Sequence, residues 1–393
     1  MRRRREGKGL FSYPTPFTPP TTEDDRLSWL RLIRSHRVGV VTFNRLLAEH
    51  GSARAALDAL PDVARSAGVA TYQPCSEASA LKELRAGQSA GARLLCRGEP
   101  AYPAALAEIA DAPPVIWVLG DPALTFRPMV ALVGARGASS LGTRMARRLA
   151  EGLGGEGFVI VSGLARGIDA AAHAASLATG TVAVMAGGVD HVYPPENAAL
   201  AAEISARGLR VSEQPPGLEP MARHFPLRNR IISGLARAVI VVEAAAQSGS
   251  LITARLALDQ GREVLAVPGH PFDGRASGCN MLIRDGATLV RGPEDVIAAI
   301  GKPEGLSAPA HGVASTSPGA ATVAANPAAG SRSWRDQSAL HRRILDRLGP
   351  SPVAEDQLIR DLAMPASQIA PELVMLEMDG QIQRAPGGLL SRV

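Results

Sequence analysis

The middle of the chain alternates short apolar runs, rich in valine and isoleucine, with longer amphipathic segments of helical length. Continuous apolar runs are typical of strands buried on both faces, and strands that alternate with helices are typical of parallel sheets. The pattern therefore predicts an α/β fold over residues 126–300, built on a doubly wound, Rossmann-like parallel sheet. The predicted strands are Val130–Val133, Phe158–Val161, Val182–Met185, Leu209–Ser212, Val239–Val242, Val264–Val267 and Thr288–Val290.

Apolar residues recur at helical spacing from Leu27 and again from Phe43, with Gly39 between the two series. A glycine turn between short helices predicts a helical module, SAM-like or helix-hairpin-helix-like, over residues 24–75. The turn amides of such a module can meet a DNA phosphate, but we favour a structural or partner role. Residues 76–125 are predicted to be a connecting layer that ends in the strand sequence PPVIWVLGD.

The end of the chain predicts a winged-helix domain over residues 336–393, because three amphipathic helices precede two short strands. Its third helix carries Glu372 and Glu377 and no Lys or Arg, so a DNA duplex would repel it. We therefore expect a protein-contact or regulatory role for this domain. The apolar helix positions fall within Leu340–Leu348, Leu358–Leu362 and Ile369–Leu376, and the strands are Gln381–Arg384 and Leu389–Arg392.

Two stretches lack a periodic pattern. Residues 1–23 are first arginine-rich and then proline-rich, which predicts a disordered basic tail, and residues 301–335 consist mainly of Ala, Pro, Gly and Ser, which predicts a flexible linker. The formal net charge of +5 is spread along the chain, so any nucleic-acid site must be a local cluster. The three cysteines lack zinc-like spacing, and no apolar run has the length of a membrane span. We expect a cytoplasmic protein without a metal.

Three cations, an amide and an aromatic ring cluster around the sequence HFPLRNRIISG, which begins at His224. Guanidinium groups match phosphate oxygens, and the ring of Phe225 offers a face on which a base can stack. Glycine-containing loops also follow the predicted strands, whose carboxyl ends meet at one edge of the sheet. Since glycine lets the backbone approach a bulky anion, this edge is predicted to bind a phosphate-bearing ligand.

The same loops disfavour several kinds of phosphate chemistry. The first loop reads GARG instead of GxGxxG, which argues against NAD or FAD, and no Walker sequence is present, which argues against ATP hydrolysis. We interpret Asp169 and His173 as a pair that closes a helical turn, in preference to an acid–base or metal pair. Glu213 and Glu243 are interpreted as acceptors that brace loops.

In this order, the motifs VGAR, SGLARGIDAAAH, GGVDHVYP, HFPLRNRIISGL, VVEAAAQSGSLITARLALDQGREVLAVPGH and GCNMLIRDGA resemble the DNA processing protein A (DprA/Smf) family over about residues 128–290. The resemblance implies an extended Rossmann-like domain that binds single-stranded DNA in a basic pocket. It also implies a homodimer that helps to load RecA recombinase during natural transformation, without a cofactor.

The cluster and the resemblance together define the candidate DNA-binding residues. In one departure from the family, Ala222 stands where many members have a lysine three residues before the phenylalanine, with Arg223 beside it. The candidates are Arg136, Gly163, Arg166, Gly187, Gly188, Arg223, His224, Phe225, Arg228, Asn229, Arg230, Ser248, Gly249 and Ser250.

These observations favour a non-enzymatic protein that protects single-stranded DNA and promotes RecA loading. The alternative is a nucleotide or nucleotide-sugar phosphoribohydrolase-like enzyme, because the fold also resembles the lysine-decarboxylase-like phosphoribohydrolases. The GGxGTxxE loop of that family supplies a catalytic glutamate, whereas Ser248–Leu256 contains none. A scaffold that binds nothing would not account for Phe225 among arginines.

Overall fold

The computed structural model describes residues 19–69, 71–303, 334–385 and 388–392. Nine strands form the central sheet, in the order β1-β2-β6-β5-β4-β3-β7-β8-β9. Strands β3 to β9 are parallel to one another, and β1 and β2 run antiparallel at one side. The strands are β1 Arg93–Cys96, β2 Val115–Gly120, β3 Met129–Val133, β4 Val159–Ser162, β5 Thr181–Val184, β6 Leu209–Ser212, β7 Ala238–Val241, β8 Glu263–Ala266 and β9 Thr288–Leu289.

The predicted parallel sheet is confirmed, and each of its seven strands begins and ends within one residue of the prediction. Residues 93–120, by contrast, contribute two strands to the same sheet instead of forming a separate connecting layer. Strand β2 pairs with β6, with Trp117 opposite Ser212. The apolar run from Val115 to Val118 is buried, so it extends the sheet at its otherwise open edge.

Helices cover both faces of the sheet. Alternate residues of β3 point to opposite faces: Val130 and Leu132 contribute to one apolar core, and Ala131 and Val133 contribute to the other. The helices that precede the C-terminal domain are α1 Glu23–Arg34, α2 Val40–His50, α3 Ala53–Ser66, α4 Glu77–Ser89, α5 Ala104–Ala107, α6 Ser140–Gly155, α7 Ile168–Ser176, α8 Ala198–Arg207, α9 His224–Leu235, α10 Ser250–Asp259, α11 Ser277–Arg284 and α12 Pro293–Ile300.

The strand order reverses between β3 and β7. The chain moves from β3 toward β6 on one side and from β7 toward β9 on the other. Helix α6, which follows β3, packs on one face, and α10, which follows β7, packs on the other. Loops that leave the carboxyl ends of these two strands therefore diverge and open a crevice, as in other doubly wound sheets.

The N-terminal helices α1 to α4 are joined to the sheet by a shared core. Trp29 and Phe43 pack edge to face, with ring centroids 5.2 Å apart, in the same cluster as Trp117 of β2. The indole Nε1 of Trp117 donates to Glu83 of α4 at 2.9 Å, and the same carboxylate pairs with Arg34 of α1. The helical module is thus fixed to the sheet through β2.

The predicted winged helix is confirmed. Three helices and a three-stranded sheet in the order β10-β12-β11 enclose their own apolar core. The basic tail and the linker fall almost wholly outside the described residues, as do Pro386 and Gly387. The elements are α13 Trp334–Arg347, β10 Val353–Ala354, α14 Glu355–Leu362, α15 Ala366–Met378, β11 Ile382–Ala385 and β12 Leu389–Arg392. No helix within the described ranges is long and apolar enough to cross a membrane.

A substitution at Gly87 of α4 tests how the packing of the N-terminal helices against β2 contributes to stability. A Cβ atom at this position would overlap the fully buried ring of Trp117. We expect Gly87→Ala to lower the free energy of unfolding by about 1–3 kcal/mol, because overpacking outweighs the better helix propensity of alanine. Urea denaturation measures the change. Gly155→Ala in α6 is the matched control, because a Cβ there meets nothing within 4 Å; equal effects would contradict the packing argument.

Candidate nucleic-acid interface

A cavity of about 550 Å³, here called the strand-end crevice, lies at the carboxyl ends of β3 and β7. The loop after β3 (Gly134–Arg136), helix α9 and the start of α10 form its walls. The sequence places these walls together because parallel strands deliver their loops to one edge. Pro226 is tolerated in α9 because it lies in the first turn, where a backbone N–H has no helical partner.

Phe225 is the centre of this edge. The guanidinium carbon of Arg136 lies 5.4 Å from the centroid of the Phe225 ring, and that of Arg228 lies 6.0 Å away. Tyr193 meets the same ring edge-on, at 5.8 Å between centroids. A side pocket of about 180 Å³ opens beside it, lined among others by Arg166. The site thus combines aromatic surface with cations, as stacking and phosphate binding require.

Arg228 lies beneath the crevice, with 6% of its surface exposed. Its Nη1 donates to the carbonyl of Val184 at 3.2 Å, and its Nε has no hydrogen-bond partner among the described residues. Burial lowers the pKa of Arg228 to about 10, although the neighbouring Asp169 opposes this shift, so the group stays protonated near neutral pH. Gly163 is required here because a Cβ would overlap the guanidinium.

Asp169 and His173 do not pair with each other, which corrects the sequence-based interpretation. The Asp169 carboxylate accepts from the amides of Gly163 and Ala165, at 3.1 and 3.3 Å. His173 Nδ1 is 2.7 Å from the hydroxyl of Thr181. Burial raises the pKa of Asp169, and burial together with the charge of Arg228 lowers that of His173 to about 3. Both side chains hold the loop after β4 and helix α7 in place.

Arg230 and His224, two of the predicted DNA-binding residues, are buried by contacts with other parts of the chain. Arg230 is buried, pairs with Glu213 and lies 3.5 Å from Asp111, because it projects from a different face of α9 than Phe225. His224 is also buried, and its Nδ1 accepts from the amide of Met221 at 3.2 Å. Neither lines the strand-end crevice or the side pocket. Both stabilise α9 and its approach.

The glycines after β5 serve close packing. A Cβ on Gly187 would lie 2.5 Å from the Leu218 carbonyl, and one on Gly188 would lie 2.6 Å from the Pro215 carbonyl. Gly187 also lines a small pocket under Phe225, whereas Gly188 lines none of the pockets around that ring. These two residues let the loop before α9 lie against the loop after β5.

The Ser248–Ser250 segment lines the crevice opposite Phe225. The two serine hydroxyls are 2.6 Å apart, and the Ser248 hydroxyl accepts from the amide of Ser250, the first residue of α10, at 3.4 Å. Gly249 has ordinary helical backbone angles, and a Cβ there would meet nothing within 4 Å. The segment therefore contributes hydroxyls to the crevice wall, and its glycine is not sterically required.

The structure brings most of the candidates together and adds two residues that the sequence reasoning missed. Tyr193 was part of a recognised motif, but only the fold places its ring against Phe225. Arg275 arrives from the loop after β8, and no local pattern marks it. Arg223 is exposed and lines neither cavity. The candidates that line the crevice or side pocket are Arg136, Gly163, Arg166, Phe225, Arg228, Asn229, Ser248, Gly249 and Ser250.

No group of three or more His, Cys, Asp or Glu side chains in the described part of the chain is arranged to hold a metal ion. The two strand-end glutamates are occupied as bracing acceptors. Glu213 accepts from Arg230, and Glu243 accepts from the amide of Ser139 at 2.9 Å and lies 3.4 Å from Arg275.

A Rossmann-like sheet flanked by an N-terminal helical module and a winged helix, with a cationic, aromatic crevice at the strand ends, defines the class of this protein as a multidomain α/β protein. Three segments of the chain match models of the same protein family. Residues 93–301 match DNA recombination-mediator protein A, residues 23–86 match the DprA-like N-terminal HHH domain, and residues 324–388 match the DprA winged helix domain. The chain belongs to the DNA processing protein A (DprA/Smf) family, which confirms the resemblance.

Individual relatives agree with this assignment. The chain is 48% identical over 199 residues to the DNA processing protein DprA of Streptococcus pneumoniae, covering 50% of this chain and 70% of that protein. It is 35% identical over 320 residues to protein Smf of Synechocystis, covering 76% and 80% of the two chains. The X-ray structure of the Streptococcus pneumoniae protein superposes with a TM-score of 0.57 at 36% identity, covering 71% of this chain and 97% of that one.

The low pKa of His173 predicts a pH-dependent stability. Its pKa is about 3 in the folded chain and 6.5 in an exposed histidine, so below pH 6.5 the unfolded chain binds a proton that the folded chain does not. The free energy of unfolding should therefore fall as the pH falls. From pH 6.5 to about 5 the wild type should lose up to ~2 kcal/mol more than His173→Gln. Parallel losses in urea titrations at the two pH values would contradict the assignment.

Proposed function

We propose that this protein binds single-stranded DNA in the strand-end crevice, as a binding protein and not as an enzyme. The observation that carries the proposal is the half-buried Phe225 ring, which lies within 6 Å of both an exposed cation, Arg136, and a second ring, Tyr193. A base of a single strand can reach such a ring, whereas the bases of a duplex are already stacked.

The cations of the site have two different roles in this proposal. Arg136 and Arg166 are exposed and can meet phosphates, although Arg166 also lies 3.9 Å from the Glu196 carboxylate. Arg228 is buried, so it acts as a positioning residue that holds the Gly163 loop and adds fixed positive charge beneath the ligand. Asn229 and the Ser248–Ser250 hydroxyls supply uncharged donors on the opposite wall.

The described residues that line the crevice include no free carboxylate that could act as an acid or a base in hydrolysis. Among the described residues that line it, Asp169 is the single carboxylate, and two backbone amides already occupy it. An enzyme that released a base from a nucleotide here would need an acid or base free to act on the ligand. We therefore place the phosphoribohydrolase-like alternative second.

Family membership supports the remaining parts of the proposal: homodimer formation, loading of RecA recombinase during transformation, and a cytoplasmic location. The winged helix offers a surface suited to protein contact. Helix α15 exposes Val374, Met375 and Met378 on one face, whereas Glu372 pairs with His341 and Glu377 pairs with Arg384. An exposed apolar helix face without lysine or arginine suits a protein partner better than a DNA groove.

The crevice is tested by two substitutions in fluorescence-anisotropy titrations with labelled single-stranded and double-stranded oligonucleotides. Phe225→Ala should weaken single-strand binding at every salt concentration, because a stacking platform is lost. Arg136→Ala should weaken it and lower the slope of log affinity against log salt by about one. Arg237→Ala is the control, since Arg237 is exposed at the amino end of β7, at the opposite edge. An unchanged slope for Arg136→Ala would remove that residue from the site.

A chain that ends at residue 335 tests the role assigned to the winged helix. We expect it to keep most of the single-strand affinity, because Phe225, Arg136 and the Ser248–Ser250 segment all lie outside the winged helix. The same anisotropy titration measures this. Loss of DNA binding in the shortened chain, with its circular dichroism otherwise intact, would contradict a protein-contact role.

A further inference from the structure

A second cavity, of about 570 Å³, lies between the winged helix and helix α6. It is here called the interdomain cavity. It opens at the same carboxyl edge as the strand-end crevice but on the opposite face of the sheet, because Val242 and Val267 in its floor belong to the core under α6. Leu141 and Met145 of α6 add apolar wall. Its volume and apolar floor are those of a small-molecule site.

Two arginines of α6 line this cavity without a partner. Arg144 and Arg148 are four residues apart on one face of the helix, and both are exposed. Neither makes a hydrogen bond or an ion pair with another residue in the described ranges. Like charges at this spacing repel each other, so an anion bound between them would relieve the repulsion.

The winged helix contributes a third cation. Arg347, at the end of α13, reaches across to α6, where its Nη1 donates to the Ala138 carbonyl and the Thr143 hydroxyl, each at 3.3 Å. Its Nε and Nη2 make no hydrogen bond with the described chain. Three guanidinium groups from two domains therefore line one cavity.

The two carboxylates in the cavity wall share one arginine. Glu243 and Asp273 both contact Arg275, at 3.4 and 3.1 Å. Glu243 also accepts from the amide of Ser139. Arg275 offsets one of these two acids, so Arg144, Arg148 and Arg347 still leave the cavity with an excess of positive charge. The cavity favours an anionic ligand with an apolar part.

We propose that the interdomain cavity binds a nucleotide, with its phosphate on Arg144, Arg148 and Arg347 and its base against the apolar floor. The nucleotide can be a free one or the 5′-phosphorylated end of a DNA strand. Because Arg347 belongs to the winged helix, an occupied cavity ties that domain to α6. This site is separate from the Phe225 crevice. An experiment can therefore contradict nucleotide binding in the interdomain cavity without contradicting single-strand binding in the crevice.

Isothermal titration calorimetry of the full chain with dAMP tests the site. The double variant Arg144→Ala/Arg148→Ala should bind dAMP at least ~10-fold more weakly than the wild type, since two charge-assisted contacts are lost. Arg147→Ala is the matched control, because Arg147 is exposed on the same helix but does not line the cavity. Arg347→Gln should also weaken binding, which separates a site shared by two domains from a site on α6 alone.

The Phe225→Ala variant lacks the stacking ring of the strand-end crevice, so the dAMP that it still binds reports the interdomain cavity. In that background, oligonucleotides with a 5′-phosphate or a 5′-hydroxyl distinguish the two sources of the nucleotide. A preference for the phosphorylated end that the double variant abolishes identifies a DNA end, and binding of dAMP alone identifies a free nucleotide. The proposal is overturned if the wild type does not bind dAMP, if the double variant binds it equally well, or if Phe225→Ala abolishes binding.

Discussion

The geometry of the strand-end crevice depends on one buried charge, the guanidinium of Arg228. A buried charge destabilises a fold unless hydrogen bonds and an opposite charge compensate it. Here the Val184 carbonyl and the neighbouring Asp169 carboxylate do so, and Asp169 at the same time binds the amides of the loop after β4. The close approach demands glycine at position 163. Electrostatic interactions therefore hold together helix α9, helix α7 and the loop after β4. Because Phe225 lies one turn before Arg228 in α9, the same interactions fix the position of its ring.

The reversal of strand order between β3 and β7 explains why the molecule has two cavities at one edge. Helices α6 and α10 leave on opposite faces, so each face has its own space beyond the strand ends. Arg275 lies between these spaces, since it lines the strand-end crevice while pairing with Glu243 and Asp273 of the interdomain cavity. One side chain thus forms part of the wall between the two cavities.

The parallel strands could be predicted from local sequence alone. Strands such as β3, β5 and β7 are buried on both faces, so nearly all of their residues are apolar and the run is visible in the sequence. Pairing of β2 with β6 was not predictable, since it joins segments about ninety residues apart in an antiparallel sense that no short pattern encodes. The candidate site, too, could be predicted only in part. The ring of Phe225 was identifiable from its neighbours, but the faces of α9 that bury Arg228 and Arg230 depend on distant partners, Asp169, Glu213 and Asp111.

The two flanking modules are attached to the sheet by different means. The N-terminal helices pack against strands β1 and β2. Strand β2 pairs in turn with β6, so this attachment is part of the central sheet. The winged helix is instead held by side chains, with Arg275 donating to the carbonyls of Asp346 and Leu348 and Arg347 donating to Ala138. Breaking the first attachment disrupts the sheet itself, whereas the second can be broken while every strand stays paired. On heating, the winged helix is thus the part able to separate as its own cooperative unit, and the N-terminal helices melt together with the sheet.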